Sequence, residues 1–498
     1  MRIARNAAAS VGQVLATGLI LFFLYRVNLE TLGAESLGIW SVVLATASAS
    51  RIGDLGLSAS VTRFVARYRA SGDDGGASHA VQTAAISISV LLIPVLLAAY
   101  PLLRTLFGKL FADEGLEEAL LILPYALISV VPTVVAAVFQ SGLDGCQRHD
   151  WRALVVLLGQ LLFLFAALWL APRYGLKGLA WAQIAQGIFL SVTGWLFLRH
   201  VLPSLPLFPY QWRREPFRKM LGYGLQFQAG SMALMLFEPL TKALVGKYGG
   251  LAAAGYFEMA SQFVGKARQL IISANQVLIP VAAELYEQNT QRLFAVYRTN
   301  LRLLCFVAIP GFALVAGWGP LLSEVWIGRY EPVFVFFVIV LALSWGLNTF
   351  SAPAYFFNLG TGHIAWNTAS HVWMGILNGA LGLSLGPHFG AEGIAWSMAA
   401  ALATGSALVI RSVHRRQNLS WRLLLPSESF GLVIAAIMLA LVEYHSYHAL
   451  VNEPTTLRFL AGMLLPLFIL GPVVWRHPLR LFVQNQLTVF RQQKKPTE

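Results

Sequence analysis

Stretches of 17 to 24 residues that contain no Lys, Arg, Asp or Glu include 80–103, 119–139, 153–172, 178–198, 303–323, 371–391 and 459–475. A bilayer core roughly 30 Å thick needs about 20 apolar residues in a helix, because it holds no water to satisfy backbone N–H and C=O groups. These stretches are therefore membrane-spanning helices. The uncharged run 332–370 is long enough for a helix, a turn at Gly360, Thr361 and Gly362, and the start of another. Further spans near 7–25, 37–60, 220–245, 255–283, 393–410 and 430–442 bring the expected number to about fourteen. The basic N-terminus followed by an apolar stretch looks like a signal peptide, but the stretch runs on through Leu24 and is read as an uncleaved first helix.

Composition agrees. Of 498 residues, 57% are hydrophobic and 12% charged, where soluble domains carry about 25% charged residues. Cys146 and Cys305 lie far apart in or beside apolar runs, which suggests packing rather than a disulfide or a metal site. No cofactor is implied. The net charge of +13 raises nucleic-acid binding, which requires basic residues gathered on one solvated surface. The Lys and Arg residues are distributed differently: 24 fall on the two termini and the even-to-odd connections, and seven on the opposite connections. By the positive-inside rule both termini are cytoplasmic, and the charge reports orientation. The expected location is the bacterial inner membrane. After Trp475, residues Leu479, Phe482, Val483, Leu487 and Phe490 recur at helical spacing beside Arg480, Arg491, Lys494 and Lys495. Such a tail suits anionic membrane lipids, or is simply solvated.

The chain repeats itself. Gly33, Gly38 and Arg51 match Gly250, Gly255 and Arg268 at one constant offset, and Gly175, Gly178, Ala180 and Trp181 match Gly390, Gly393, Ala395 and Trp396 at nearly the same offset. Six spans form one unit, so both copies enter the membrane in the same direction. The expected architecture is an all-α integral membrane protein of two six-helix lobes around a central cavity. Residues 1–198 form the first lobe, 199–219 a cytoplasmic linker, 220–411 the second lobe, 428–475 two further spans and 476–498 the basic tail.

Ionisable residues at membrane depth cost at least about 2.5 to 3.5 kcal/mol each, so each requires a partner or a function. They collect in the first two spans of each half: Arg26, Arg51 and Asp54, then Glu238, Lys242, Glu258, Lys266 and Arg268. Lys266 and Arg268 lie roughly 16 to 20 Å below Gly255, and Arg51 is equally deep below Gly38. Arg51, Arg268, Lys266 and Arg26 are the candidate substrate-binding cations, since a guanidinium fork suits pyrophosphate. Asp54, Glu238 and Glu258 are candidate coupling or structural carboxylates. Pairing within a helix is the competing account, Arg51 with Asp54 and Glu238 with Lys242; for Arg26 a further alternative is snorkelling to the outer interface. Gly53 and Gly56 flank Asp54 and can interrupt the second span as a hinge.

The two six-helix halves with two extra helices, the Asp54-Leu55-Gly56-Leu57 motif running into Arg63-Phe64-Val65-Ala66, and the Gly178-Leu179-Ala180-Trp181 entry to span six together resemble the Wzx-type polysaccharide flippases. These belong to the superfamily of multidrug, oligosaccharidyl-lipid and polysaccharide exporters, with the lipid II flippases and the multidrug and toxin extrusion antiporters. The resemblance covers essentially the whole chain. It implies translocation of an undecaprenyl-pyrophosphate-linked oligosaccharide, an O-antigen, capsule or exopolysaccharide repeat unit, to the outer leaflet by alternating access. It also implies that Arg26, Arg51 and Arg268 stand where the lipid II branch has cavity arginines on spans one, two and eight. A monomer coupled to a proton or sodium ion is expected. A drug or cation antiporter of the same superfamily is the alternative. A membrane glycan polymerase or ligase would want a larger outer loop than residues 104–118. The sequence lacks a Gly-x-x-x-x-Gly-Lys-Ser/Thr loop, which excludes an ATP-driven pump for this chain.

Overall fold

The computed structural model describes residues 2–49, 54–111, 113–273, 275, 278–288, 290–450 and 452–480. Among them the regular structure is helical, in chain order α1 (Arg2–Ala49), α2 (Leu57–Ala70), α3 (Asp74–Leu110), α4 (Asp113–Gly145), α5 (His149–Val201), α6 (Arg214–Gly249), α7 (Leu251–Ser273), α8 (Leu278–Gln288), α9 (Thr290–Gly317), α10 (Gly319–Ile327), α11 (Pro332–Thr349), α12 (Ala352–Gly360), α13 (Ala365–Arg416), α14 (Phe430–Ala449) and α15 (Thr455–Arg476). Nine stretches among the described residues are long and apolar enough to cross a membrane. Three of these are pairs of spans joined at kinks in α1, α5 and α13, and α6 with α7 brings the total to the expected fourteen. The protein is a multi-pass membrane protein. Its large side chains reach outward: Leu97, Phe165, Ile188, Phe389, Ile434 and Phe468 are all exposed, as hydrocarbon rather than water allows.

The kinks fall on the glycines of the internal repeat. Gly33 adopts φ 82°, ψ 170° and its counterpart Gly250 φ 88°, ψ 164°; Gly175 adopts φ 60°, ψ −139° and Gly390 φ 56°, ψ −137°. A side chain makes such conformations costly, so glycine at these points turns one span back into the next. The repeat extends to the packing beyond each turn. A Cβ on Gly178 would run into the Leu170 carbonyl, and one on its counterpart Gly393 into the equivalent carbonyl, that of Leu385.

The second span is interrupted. Leu55 (φ 52°) and Gly56 (φ 73°) are left-handed, and α2 starts afresh at Leu57. Asp54 caps the new helix, its Oδ1 accepting from the Ser58 N–H at 3.1 Å. Here α6 comes closest to the break: a Cβ on Gly224 would sit 2.6 Å from the Leu55 carbonyl oxygen, and the Ser60 hydroxyl donates to the Met220 carbonyl at 2.8 Å.

The chain packs as two compact units, residues 1–262 with 371–397, and residues 263–370 with 398–498. That division follows contacts, whereas the two lobes of the repeat follow sequence correspondence, and the two cut the chain at different places. In the first unit the linker is strapped to α3. The Tyr210 and Gln211 N–H groups both donate to Gln82 Oε1 at 3.2 Å, Trp212 Nε1 donates to Ser87 Oγ at 2.9 Å, and Ser204 Oγ donates to the Asp74 carbonyl at 2.8 Å. In the second unit Leu293, Tyr297, Leu301, Phe357 and Val413 form a core where α9, α12 and α13 meet, and α14 with α15 covers α9 through Leu439 and Leu470.

Candidate functional site

Within the first unit, α6, α7 and the two arms of α1 converge on Glu258. Its Oε1 accepts from Tyr25 Oη at 2.7 Å and Gln262 Nε2 at 2.9 Å; its Oε2 accepts from Ser41 Oγ at 2.8 Å and pairs with Lys242 Nζ at 2.6 Å. Lys242 also bonds Glu238 at 2.7 Å, so the i, i+4 pair read as possible from the sequence is present. Glu258 and Lys242 are almost wholly buried, while the Glu238 side chain is 60% exposed. Four donors occupy the lone-pair sites of Glu258, the condition under which a buried ion pair is tolerable. While the cluster is intact Glu258 has no acceptor capacity left for a coupling ion.

The cluster follows the repeat. Ser41 and Glu258 bond each other across the offset that relates Gly33 to Gly250; Tyr25 and Lys242, separated by that same offset, both bond Glu258. Alongside, Gly38 and Gly255 pack reciprocally. A Cβ on Gly38 would overlap the Leu251 carbonyl and lie 3.1 Å from Gly255 N, and one on Gly255 would overlap the Ala34 carbonyl and lie 3.2 Å from Gly38 N. This is the self-complementary contact of a two-fold axis, drawn inside one chain.

The candidate cations are placed differently. Arg26 pairs with Glu30 one turn along at 3.1 Å, with both side chains about half exposed, 46% and 59%. Arg51 and Gly53 lie outside the described residues, and so does the proposed partnership of Arg51 with Asp54. Arg268, in the second unit, is half-buried: its guanidinium lies 4.3 Å from the centre of the Trp345 ring, and one Nη donates to Asn348 Oδ1 at 2.8 Å. Its Nε is buried without an acceptor. Neither Arg268 nor the half-buried Lys266 has a carboxylate partner among the described residues. Of the other membrane-depth cations described, Lys242 has Glu258 and Arg26 has Glu30; among the connection cations Arg302 has Glu428 at 2.6 Å and Arg458 has Glu324, while Arg416 bonds the Asn358 amide oxygen.

Sequence reasoning missed several of these groups. Tyr25 and Ser41 are detectable only by carrying Lys242 and Glu258 back by the repeat offset. Trp345, Asn348 and Ser406 are uncharged residues of apolar spans and give no signal. Glu443 on α14, buried against Gly317 and Gly462, lies beyond the repeat, where no offset points to it.

Helix order, paired glycine turns and an interrupted second span define a membrane protein with the fold of the multidrug, oligosaccharidyl-lipid and polysaccharide exporters. The chain belongs to the polysaccharide biosynthesis protein family, which matches residues 32–330. Among solved structures it is similar to the lipid II flippase MurJ in an inward closed conformation, with TM-score 0.72 and 12% identity over 94% of this chain and 98% of that one. It is similar also to a multidrug resistance MATE family transporter of the MOP superfamily in an inward-facing conformation, with TM-score 0.71 and 15% identity over 80% and 94%. A MOP superfamily transporter from Pyrococcus furiosus, described as having a binding pocket of reverse polarity, gives 0.54 and 15% over 83% and 96%. At these identities the likeness is one of fold. No curated protein matches the sequence.

Proposed function

We propose that the protein is a flippase that carries a pyrophosphate-linked oligosaccharide on a polyprenyl lipid from the inner to the outer leaflet of the bacterial cytoplasmic membrane. The observation that carries this reading is the unneutralised charge of Arg268 and Lys266 within span eight. Among the described residues, the membrane-depth cations Arg26 and Lys242 have carboxylate partners and Arg268 and Lys266 have none, as suits a site where an anionic substrate supplies the counter-ion. Membership of the polysaccharide biosynthesis family supports a glycan as cargo. Arg51, the repeat counterpart of Arg268, is the second pyrophosphate ligand on this reading, and Arg26 the outermost. The carrier works as a monomer by alternating access, with both termini cytoplasmic, and a proton or sodium gradient drives it through Asp54 or Glu238. The cation-antiporter alternative needs an available buried carboxylate within the two repeated halves, where Glu258 is already held by Lys242; the buried Glu443 lies on α14, outside the repeat.

The test is transport in proteoliposomes offered polyprenyl-pyrophosphate oligosaccharides and, in parallel, lipophilic cationic drugs. Glycan lipid is expected to cross and cations are not, and Arg268→Ala is expected to abolish crossing without lowering the amount of folded protein. Drug transport, or normal glycan transport by Arg268→Ala, overturns the reading.

A further inference from the structure

Two uncharged side chains, Trp345 and Asn348, contact Arg268, and a third, Ser406, holds Asn348. Trp345 and Asn348 stand three residues apart on α11 and so share a face. The Trp345 ring lies 4.3 Å from the guanidinium carbon, and Asn348 Oδ1 accepts from Nη2 at 2.8 Å. Behind Asn348, its Nδ2 donates to Ser406 Oγ at 2.8 Å, and Ser406 Oγ donates to the Leu402 carbonyl at 2.6 Å. The direction of this chain is fixed. A backbone carbonyl only accepts, so the single Ser406 proton goes to Leu402; the Ser406 oxygen must then accept, which turns the amide nitrogen of Asn348 toward it and the amide oxygen toward Arg268. Asn348 and Ser406 are buried, at 7% and 3% exposure, so no water competes for these bonds.

We propose that Trp345, Asn348 and Ser406 are positioning residues that hold the Arg268 guanidinium in place while leaving its charge unneutralised, so that the anionic group of the substrate becomes its counter-ion. The inference rests on reading Arg268 as a substrate ligand. An aspartate at 348 would have nearly the same shape and would make the ion pair that Lys242, Arg302 and Arg458 make elsewhere. The neutral amide gives the same geometry without the charge. The aromatic face attracts the cation without cancelling its charge.

Asn348→Asp tests this directly in the full-length protein in nanodiscs, with undecaprenyl pyrophosphate as the binding probe. Supplying Arg268 with a resident carboxylate, toward which Ser406 can turn its proton, is expected to weaken binding roughly tenfold to a hundredfold, the loss of a charge-assisted contact, in protein that remains folded. In an Arg268→Ala background the same change is expected to weaken binding no further. Wild-type binding by Asn348→Asp, with binding still lost in Arg268→Ala, overturns the positioning role and leaves the flippase reading intact. Wild-type binding by Arg268→Ala overturns both. An equal loss from Asn348→Asp with and without Arg268 shows general disruption and also overturns the positioning role.

Discussion

Glu258 illustrates how a carboxylate is kept in a membrane protein: four donors from four helical segments surround it and a single lysine balances its charge. Removing one partner of a buried ion pair costs about 3 to 5 kcal/mol, because the other charge is then stranded, whereas replacing both by neutral groups is often harmless. Lys242→Met is therefore expected to lower the melting temperature in detergent sharply, and Lys242→Met with Glu258→Gln to recover most of the loss. A double variant as unstable as the single one contradicts the assignment of this pair. Ser41→Ala removes one neutral donor to the buried charge and is expected to cost about 1.5 to 3 kcal/mol, less than Lys242→Met.

At the scale of elements, glycines set the geometry. The contact between α7 and the second arm of α1 has no space for a Cβ at Gly38 or Gly255. Gly38→Ala and Gly255→Ala are each expected to destabilise by about 1 to 3 kcal/mol through overpacking. Because both changes force apart the same contact, the double variant should lose less than the sum of the two, as a double-mutant cycle in chemical or thermal denaturation measures. The break in span two offers a second comparison. Gly56 and Gly72 have nearly the same left-handed φ, 73° and 74°, but a Cβ on Gly56 would meet the Gly224 backbone and one on Gly72 meets nothing within 4 Å. Gly72→Ala is expected to lose only the conformational term, about 1 to 2 kcal/mol. Gly56→Ala should lose distinctly more, and equal losses in thermal melts would remove the role given to the contact with α6. These elements were legible in the sequence because only glycine tolerates the turn, so its recurrence at the repeat offset marks the same bend twice. The Glu238 and Lys242 pair was legible because four residues is one helical turn. Glu258 with Lys242, and Arg268 with Asn348, were not. Each of those partners lies on another helix, where the periodicity of one helix carries no information.

The whole molecule is a set of apolar helices whose exposed Leu, Ile and Phe side chains require lipid and whose basic residues gather at one set of connections. Burial of apolar surface makes a helix span the bilayer but is indifferent to direction; direction comes from the positive charges that resist translocation. Twelve of the 24 basic residues assigned to the cytoplasmic side occur by the end of the linker, at Lys219. On the positive-inside reading orientation is set early in the chain, and six spans per repeat carry it unchanged into the second half. Arg218 at the start of α6 and Arg329, which follows α10, are both exposed and belong to opposite sides on this reading. In a background with Cys146 and Cys305 replaced by alanine, Arg329→Cys is expected to react with a membrane-impermeant maleimide in spheroplasts. Arg218→Cys should react only after the membrane is permeabilised. Labelling of Arg218→Cys in sealed spheroplasts would reverse the orientation, and with it the direction of transport, while leaving the fold and the Glu258 cluster as described.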